Sequence, residues 1–183
     1  MLLTNVFKPA TTQLKYHILI VMIGVIILAA ASQLELPWQP IPLTFQSTTV
    51  ILIGMVLGAR LGAQVIMSYL LLGMLGAPVF AQFSAGIPVL LGPNGGYLIG
   101  FIPAVIIAGF LAQRGWAQYW WSSFAAGLVG TSILFLLGVS RLYFILGWHD
   151  ALIVGLTPFL ISEPVKLLVA SFLAPRFWRH SVD

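Results

Sequence analysis

The stretch 160–168 reads LISEPVKLL. It sets a carboxylate, Glu163, and an ammonium, Lys166, three residues apart in a run that is otherwise almost free of charge. At i and i+3 on a helix the two side chains share a face and can neutralise each other. Left unpaired in hydrocarbon, either charge would cost about 2.5–3.5 kcal/mol even on the mild insertion scale. Two readings follow: a structural ion pair that ties helices together, or a polar corner that recognises a ligand facing a cavity. Apolar residues of similar volume would serve packing without the desolvation cost, which favours recognition. Pro164 lacks an N–H and is expected to leave backbone carbonyls near 160 without helical partners, which also favours recognition.

Uncharged groups that could join such a corner are Gln46, Gln82, Ser84, Asn94 and Tyr97. An amide offers a donor and an acceptor together, so several amides near one acid suit a ligand with urea- or amide-like groups. Trp38, Phe45, Phe80 and Phe83 lie close to them in sequence and could supply aromatic walls. A mostly apolar surface with a few placed polar atoms is the usual make-up of a small-molecule site. The plainer alternatives are loop solvation or capping for the amides, a turn role for Asn94, and an interfacial aromatic belt for the rings.

The elements that must position these residues are set by composition. Of 183 residues, 60% are hydrophobic and 7% charged. A soluble domain would carry about 25% charged residues, so this chain is expected to be an integral membrane protein. Its apolar runs are continuous and too long for barrel strands, which makes it all-α. The net charge is +4, but the basic residues are dispersed, unlike the clustered patch of a nucleic-acid binder. There is no cysteine. No G-x-x-x-x-G-K-[ST] phosphate loop and no H-E-x-x-H metal motif occurs, so ATP binding, metal chemistry and enzymatic activity in general are not expected.

The hydropathy pattern predicts one membrane domain over 1–183 with six transmembrane helices, at roughly 16–34, 46–57, 61–75, 97–112, 116–139 and 151–174. The last is expected to be interrupted at Pro158 and Pro164. Lys8 and Lys15 and the run 29–32 (AAAS) resemble a signal peptide, but a retained first helix is the better reading. Lys8, Lys15, Arg60, Arg114, Arg176 and Arg179 all fall on one side if both termini are cytoplasmic, as the positive-inside rule requires. Arg141 is the exception and is assigned to an outer interfacial stretch. The two outer loops, 36–46 and 76–96, contain no Lys or Arg and are rich in proline and glycine. Too apolar for solvated loops and too broken for helix, they are expected to line a ligand cavity at the outer boundary. Gly24, Ala30 and Ala31 thin part of helix one, either for packing within the bundle or for docking a partner.

Five blocks in order, LPWQPIPLTFQ, LGARLGA, GAPVF, GPNGGYLIGF and TPFLISEPVK, resemble the motifs of the BioY family, from about Ala29 to Arg176. Members of that family are biotin-specific S components of energy-coupling-factor (ECF) transporters. The resemblance implies a six-helix vitamin binder in the bacterial cytoplasmic membrane, with biotin as the transported ligand and no cofactor of its own. It implies, as partner, a transmembrane coupling protein with two ATPases that hydrolyse ATP, within membrane lipid and without nucleic acid; a homo-oligomer is left open. It carries the ligand-binding role onto Glu163 and Lys166, where the family has Asp followed three residues later by Lys. Gln46, Asn94, Tyr97 and Gln82 would complete the polar shell, and Trp38, Phe80 and Phe83 the walls. Gly24, Ala30 and Ala31 would form the coupling surface, although a clean A-x-x-x-A is missing. Glu in place of Asp, Ser162 in place of Gly, and Gln82, Phe83 and Asn94 at varied positions all touch the ligand side. An S component for another small vitamin, or a non-transporting helical scaffold, are the alternatives.

Overall fold

The structure is a computed structural model and describes residues 10–36 and 41–179. Helix α1 spans Ala10–Gln33. A two-residue antiparallel pair follows, β1 (Glu35–Leu36) with β2 (Leu43–Thr44), in the register Glu35 to Thr44 and Leu36 to Leu43.

The helical stretch Gln46–Met74 is broken at Gly58, whose φ of 79° and ψ of 175° are non-helical. The chain reverses there. Gln46 Nε2 lies 2.7 Å from the Tyr69 hydroxyl, whereas a straight helix would hold residues so far apart in sequence roughly 35 Å from each other. The stretch is therefore an antiparallel hairpin of α2 (46–57) and α3 (59–74). After a loop with a 3-10 turn at Ala81–Phe83 come α4 (Ile87–Leu91), α5 (Gly95–Leu111), a π turn (Ala112–Trp116), α6 (Trp120–Leu146), α7 (Trp148–Gly155) and α8 (Phe159–Arg179).

Among the described residues, five apolar helical stretches are long enough to cross a membrane, and the second of them is the hairpin. The bundle thus has six helices: α1, α2, α3, α5, α6 and the α7–α8 pair. This is the all-α, multi-pass architecture expected from composition. Its outside is as apolar as its inside. Ile18, Met22 and Ile26 on α1, Leu136 on α6, and Ile161, Val165 and Val169 on α8 are all exposed. Lipid, unlike water, accepts such a surface. With no hydrophobic drive between helices in lipid, close packing must hold them, and small residues permit it. At Gly54 any added Cβ would meet the Val105 carbonyl oxygen at 2.6 Å, so α2 crosses α5 nearly backbone to backbone.

Four boundaries differ from the sequence reading. The second and third helices are separated by one residue, because Gly58 alone turns the chain. The fifth helix ends at Leu146 instead of 139, so Arg141 lies inside it and reaches the Leu91 carbonyl; Gly147, with φ 83°, stops the helix. The region 76–96 contains the short helix α4, which tolerates Pro88 in its first turn because the missing N–H is not needed there. The last helix breaks once, between α7 and α8. Pro164 is accommodated within α8 without ending the helix, and, lacking an N–H, it cannot donate to the Leu160 carbonyl one turn earlier.

The turn at Gly58 packs against Gln113, so the turns that precede Arg60 and contain Arg114 share one end of the bundle. The β pair and the loop 76–94 lie at the other end.

Candidate functional site

The end bearing the β pair is built by a network of polar contacts, most of them at least partly buried. Gln46, at the start of α2, donates through Nε2 to the Tyr69 hydroxyl, and Tyr69 donates in turn to the Val79 carbonyl at 2.8 Å. Ser32, near the end of α1, donates to the same carbonyl at 2.8 Å. Gln33 clamps the next residues from both sides: its Nε2 donates to the Phe80 carbonyl at 2.9 Å, and its Oε1 accepts from the Phe83 N–H at 3.1 Å. Gly86 N–H donates to the Gly73 carbonyl at 2.7 Å. The loop is thus fixed to α1 and α3, and this holds Gln82 and Phe83 at φ values of 58° and 53°, a left-handed conformation that side chains seldom adopt. It also drives Phe80 into the bundle, where the ring is 1% exposed and meets Tyr69 edge-on at 5.4 Å.

Beneath this loop lies a cavity with about 560 Å³ between its side chains, part of it open to solvent. Ile41, Pro42, Thr44, Gln46 and Ser47 form one wall, and Phe80, Ala81, Ser84 and Val89 the cover. Tyr97, Leu98 and Phe101 from α5, Leu134 and Phe135 from α6, and Phe159 from α8 complete it. Three of the rings form one cluster. Tyr97 lies 5.7 Å from Phe135 and 6.3 Å from Phe159, and Phe135 lies 5.1 Å from Phe159. Asn94 also lines the cavity, and its Oδ1 is buried with no hydrogen-bond partner among the described residues. A buried acceptor left unsatisfied carries a desolvation cost that a ligand N–H would remove.

The charged pair stands one layer behind this wall. Glu163 is 3% exposed. Its two carboxylate oxygens accept from the Ser47 hydroxyl at 3.0 and 2.9 Å, and it is ion-paired with Lys166. Lys166 Nζ also donates to the Thr44 carbonyl at 2.7 Å and sits 5.8 Å from the centre of the Phe45 ring. Glu163 and Lys166 therefore face into the protein and bond two residues, Thr44 and Ser47, that line the cavity. They are not themselves part of its lining.

The structure thus brings together Gln46, Asn94, Tyr97 and Phe80 in one cavity, with Glu163 and Lys166 backing it. Tyr97 contributes its ring, because its hydroxyl is already committed to the Gly155 carbonyl at 2.7 Å. Gln82 and Phe83 do not line the cavity. Phe83 is 69% exposed, and neighbours Ala81 and Ser84 take the inward positions. Trp38 lies outside the described residues. Gly24 packs against Val65 of α3 and Ala31 is buried, while Ala30 faces outward, so the three do not form one external face. Ser47, Phe135 and Phe159 were missed by sequence reasoning. A serine and two phenylalanines in apolar helices carry no local signal of their role.

What the arrangement can hold is a small molecule with an apolar body and a few hydrogen-bonding edges. The model of the BioY family matches residues 7–183. "Biotin transporter BioY" of Thermotoga maritima is 38% identical over 160 residues, covering 86% of this chain and 92% of that protein. "Probable biotin transporter BioY" of Pyrococcus horikoshii is 40% identical over 157 residues, covering 86% and 93%. "Biotin transporter BioY2" of Lactococcus lactis is 34% identical over 161 residues, covering 85% and 86%. Among solved structures, the S-component for biotin from an ECF-type ABC transporter superposes with a TM-score of 0.82 at 21% identity, over 94% of this chain and 95% of that one. That likeness establishes the same six-helix fold. With the family pattern running almost from end to end and relatives matched over most of their length, the chain belongs to the BioY family.

Proposed function

We infer that this protein captures biotin for uptake, as the substrate-binding S component of an ECF-type transporter. One observation carries the reading most: a partly covered aromatic cavity with a buried amide acceptor at Asn94 that has no partner among the described residues, in a chain 38–40% identical to biotin transporters. Biotin fuses an apolar thiophane ring to a ureido ring that both donates and accepts, and its aliphatic chain ends in a carboxylate. Asn94 Oδ1 supplies an acceptor to the ureido ring, and the carboxamide of Gln46 stands on the same cavity surface. Phe80, Tyr97, Phe135 and Phe159 enclose the apolar part. Ser47 already occupies the carboxylate of Glu163, so a ligand N–H that displaces this hydroxyl would take its place on the acid, and Lys166 would keep the charge balanced. A ligand without matching groups would leave these buried atoms unpaired, which is the basis of selectivity.

The same reading gives the protein no catalytic step of its own. ATP hydrolysis belongs to two ATPase subunits joined through a transmembrane coupling protein. Both termini lie in the cytoplasm, which puts Lys15, Arg60, Arg114 and Arg176 on the inner side of the cytoplasmic membrane and the cavity at the outer face. Isothermal titration of the detergent-purified protein with biotin tests the proposal. Saturable one-to-one binding is expected. Silence with biotin but stabilisation by another vitamin in a thermal-shift panel would reassign the ligand, and no saturable ligand at all would leave a membrane scaffold.

A further inference from the structure

A second depression runs along the outside of the bundle between α1 and α3. It has about 1330 Å³ of open space and is almost wholly apolar, lined on α1 by Val21, Val25 and Ala29 and on α3 by Ser68 and Leu72. At the end away from the vitamin cavity it is closed by a polar bridge, His17 Nε2 to Gln64 Oε1 at 2.7 Å. Just beyond that bridge stand two cations. Arg60 precedes Gln64 and Ser68 by one and two turns and so shares their face of α3, and Lys15 precedes Ile18 and Met22 by three and seven residues on α1. Both are exposed, and among the described residues neither joins a salt bridge.

We propose that this α1–α3 groove binds one anionic phospholipid, its phosphate between Lys15 and Arg60 and an acyl chain laid along the groove toward Ala29. Charge complementarity selects the occupant. An apolar slot with two cations at one end and no charge along its walls matches an amphiphile with one anionic head. The length agrees: twelve residues separate His17 from Ala29, about 18 Å of helix, close to the depth of one leaflet of a hydrocarbon core about 30 Å thick. The polar bridge of His17 and Gln64 falls where headgroup meets chain. With the termini cytoplasmic, the head lies in the leaflet where anionic lipids attract basic groups, each cation near the surface contributing about a fivefold gain in affinity. The site is separate from the vitamin cavity, so it does not depend on the ligand assigned there.

Native mass spectrometry of the purified protein, with phosphatidylglycerol or phosphatidylcholine titrated in at equal concentration, decides the matter. The wild type should retain one phosphatidylglycerol in preference. Lys15→Gln with Arg60→Gln should lower that retention roughly 30-fold and abolish the preference. Ser68→Phe, which fills the slot, should remove retention of both lipids, with a monodisperse elution profile confirming that each variant is folded. Equal retention in the charge-neutralised and wild-type proteins would overturn the proposal. So would efficient disulfide formation between copies in membranes by Met22→Cys, a direct test in a chain without cysteine, because it would place a second copy in the groove.

Discussion

The hydroxyl of Ser47 bridges both carboxylate oxygens of Glu163, at 3.0 and 2.9 Å, across 116 residues of chain. Ser47 sits at the head of α2 and lines the cavity, whereas Glu163 lies behind it on α8. The buried acid therefore reaches the cavity through a residue that no charge pattern could mark. On the same side, Lys166 holds the Thr44 carbonyl, so the pair grips the β2–α2 junction from both flanks of Gln46. Its work is then partly to position that junction, whatever it contributes to the ligand.

Two substitutions separate these contributions. Ser47→Ala removes a charge-assisted donor and should cost about 1.5–3 kcal/mol in biotin binding or thermal stability. Glu163→Gln keeps the shape but strands the Lys166 ammonium, and should cost about 3–5 kcal/mol. Titration calorimetry on the two single variants and the double variant should show coupling of at least about 1 kcal/mol, as expected for groups in one network. Additive effects would mean that the hydroxyl and the acid act independently.

Asn94 should behave in the opposite way. Its Oδ1 is buried with no partner among the described residues, so Asn94→Ala removes an unsatisfied acceptor. Thermal stability without biotin should hold or rise, while biotin affinity should fall by roughly 5- to 30-fold, the worth of about one to two kcal/mol. A variant that loses stability while binding biotin normally would assign Asn94 to the turn before α5 alone.

Gln33 is the clamp on the covering loop. Gln33→Ala frees the Phe80 carbonyl and the Phe83 N–H together, and with them the support for two left-handed residues that cost of order 1–3 kcal/mol each. Dissociation of biotin should accelerate several-fold with less effect on association, since a loosened cover opens more often. Stopped-flow displacement measures this directly, and unchanged dissociation would show that the loop does not gate the cavity.

The charged pair was legible in the sequence because it is a rare event against an apolar background, and so was the number of helices, although four of their boundaries were not. Glu163 and Lys166 stand out as charge within hydrocarbon depth, and Arg60 falls between two short apolar runs. The partners of those groups were not legible. Ser47, Phe135 and Phe159 sit in helices where serine and phenylalanine are unremarkable, and their roles arise from contacts made across the bundle. Tyr97 read as a polar ligand because its hydroxyl is visible in sequence, whereas the Gly155 carbonyl that accepts from it is not. Arg141 was assigned to an outer interfacial stretch beyond the fifth helix for the same reason: the Leu91 carbonyl that accepts from it within the helix lies 50 residues away. Gly24, Ala30 and Ala31 read as either internal packing or a docking face, because small residues serve both; Val65 fills the space over Gly24, Ala31 is buried and Ala30 faces outward.

The hairpin turn offers the sharpest test of how the fold places the cavity. Gly58 has φ 79° and ψ 175°, a region open essentially to glycine alone. Gly58→Ala should therefore destabilise the protein by about 1–3 kcal/mol from backbone strain. A Cβ there would also come 2.5 Å from Gln113 Nε2, a flexible side-chain end that can move aside. Combining Gly58→Ala with Gln113→Ala removes that contact but not the strain, so the double variant should remain as unstable as the single one in detergent thermal unfolding. Because the turn sets the alignment of α2 against α3, strain there should also disturb the Gln46–Tyr69 bond at the far end of the hairpin and weaken biotin binding from a distance. Full rescue of both stability and binding by Gln113→Ala would show that crowding, and not the left-handed turn, is what glycine relieves at this position.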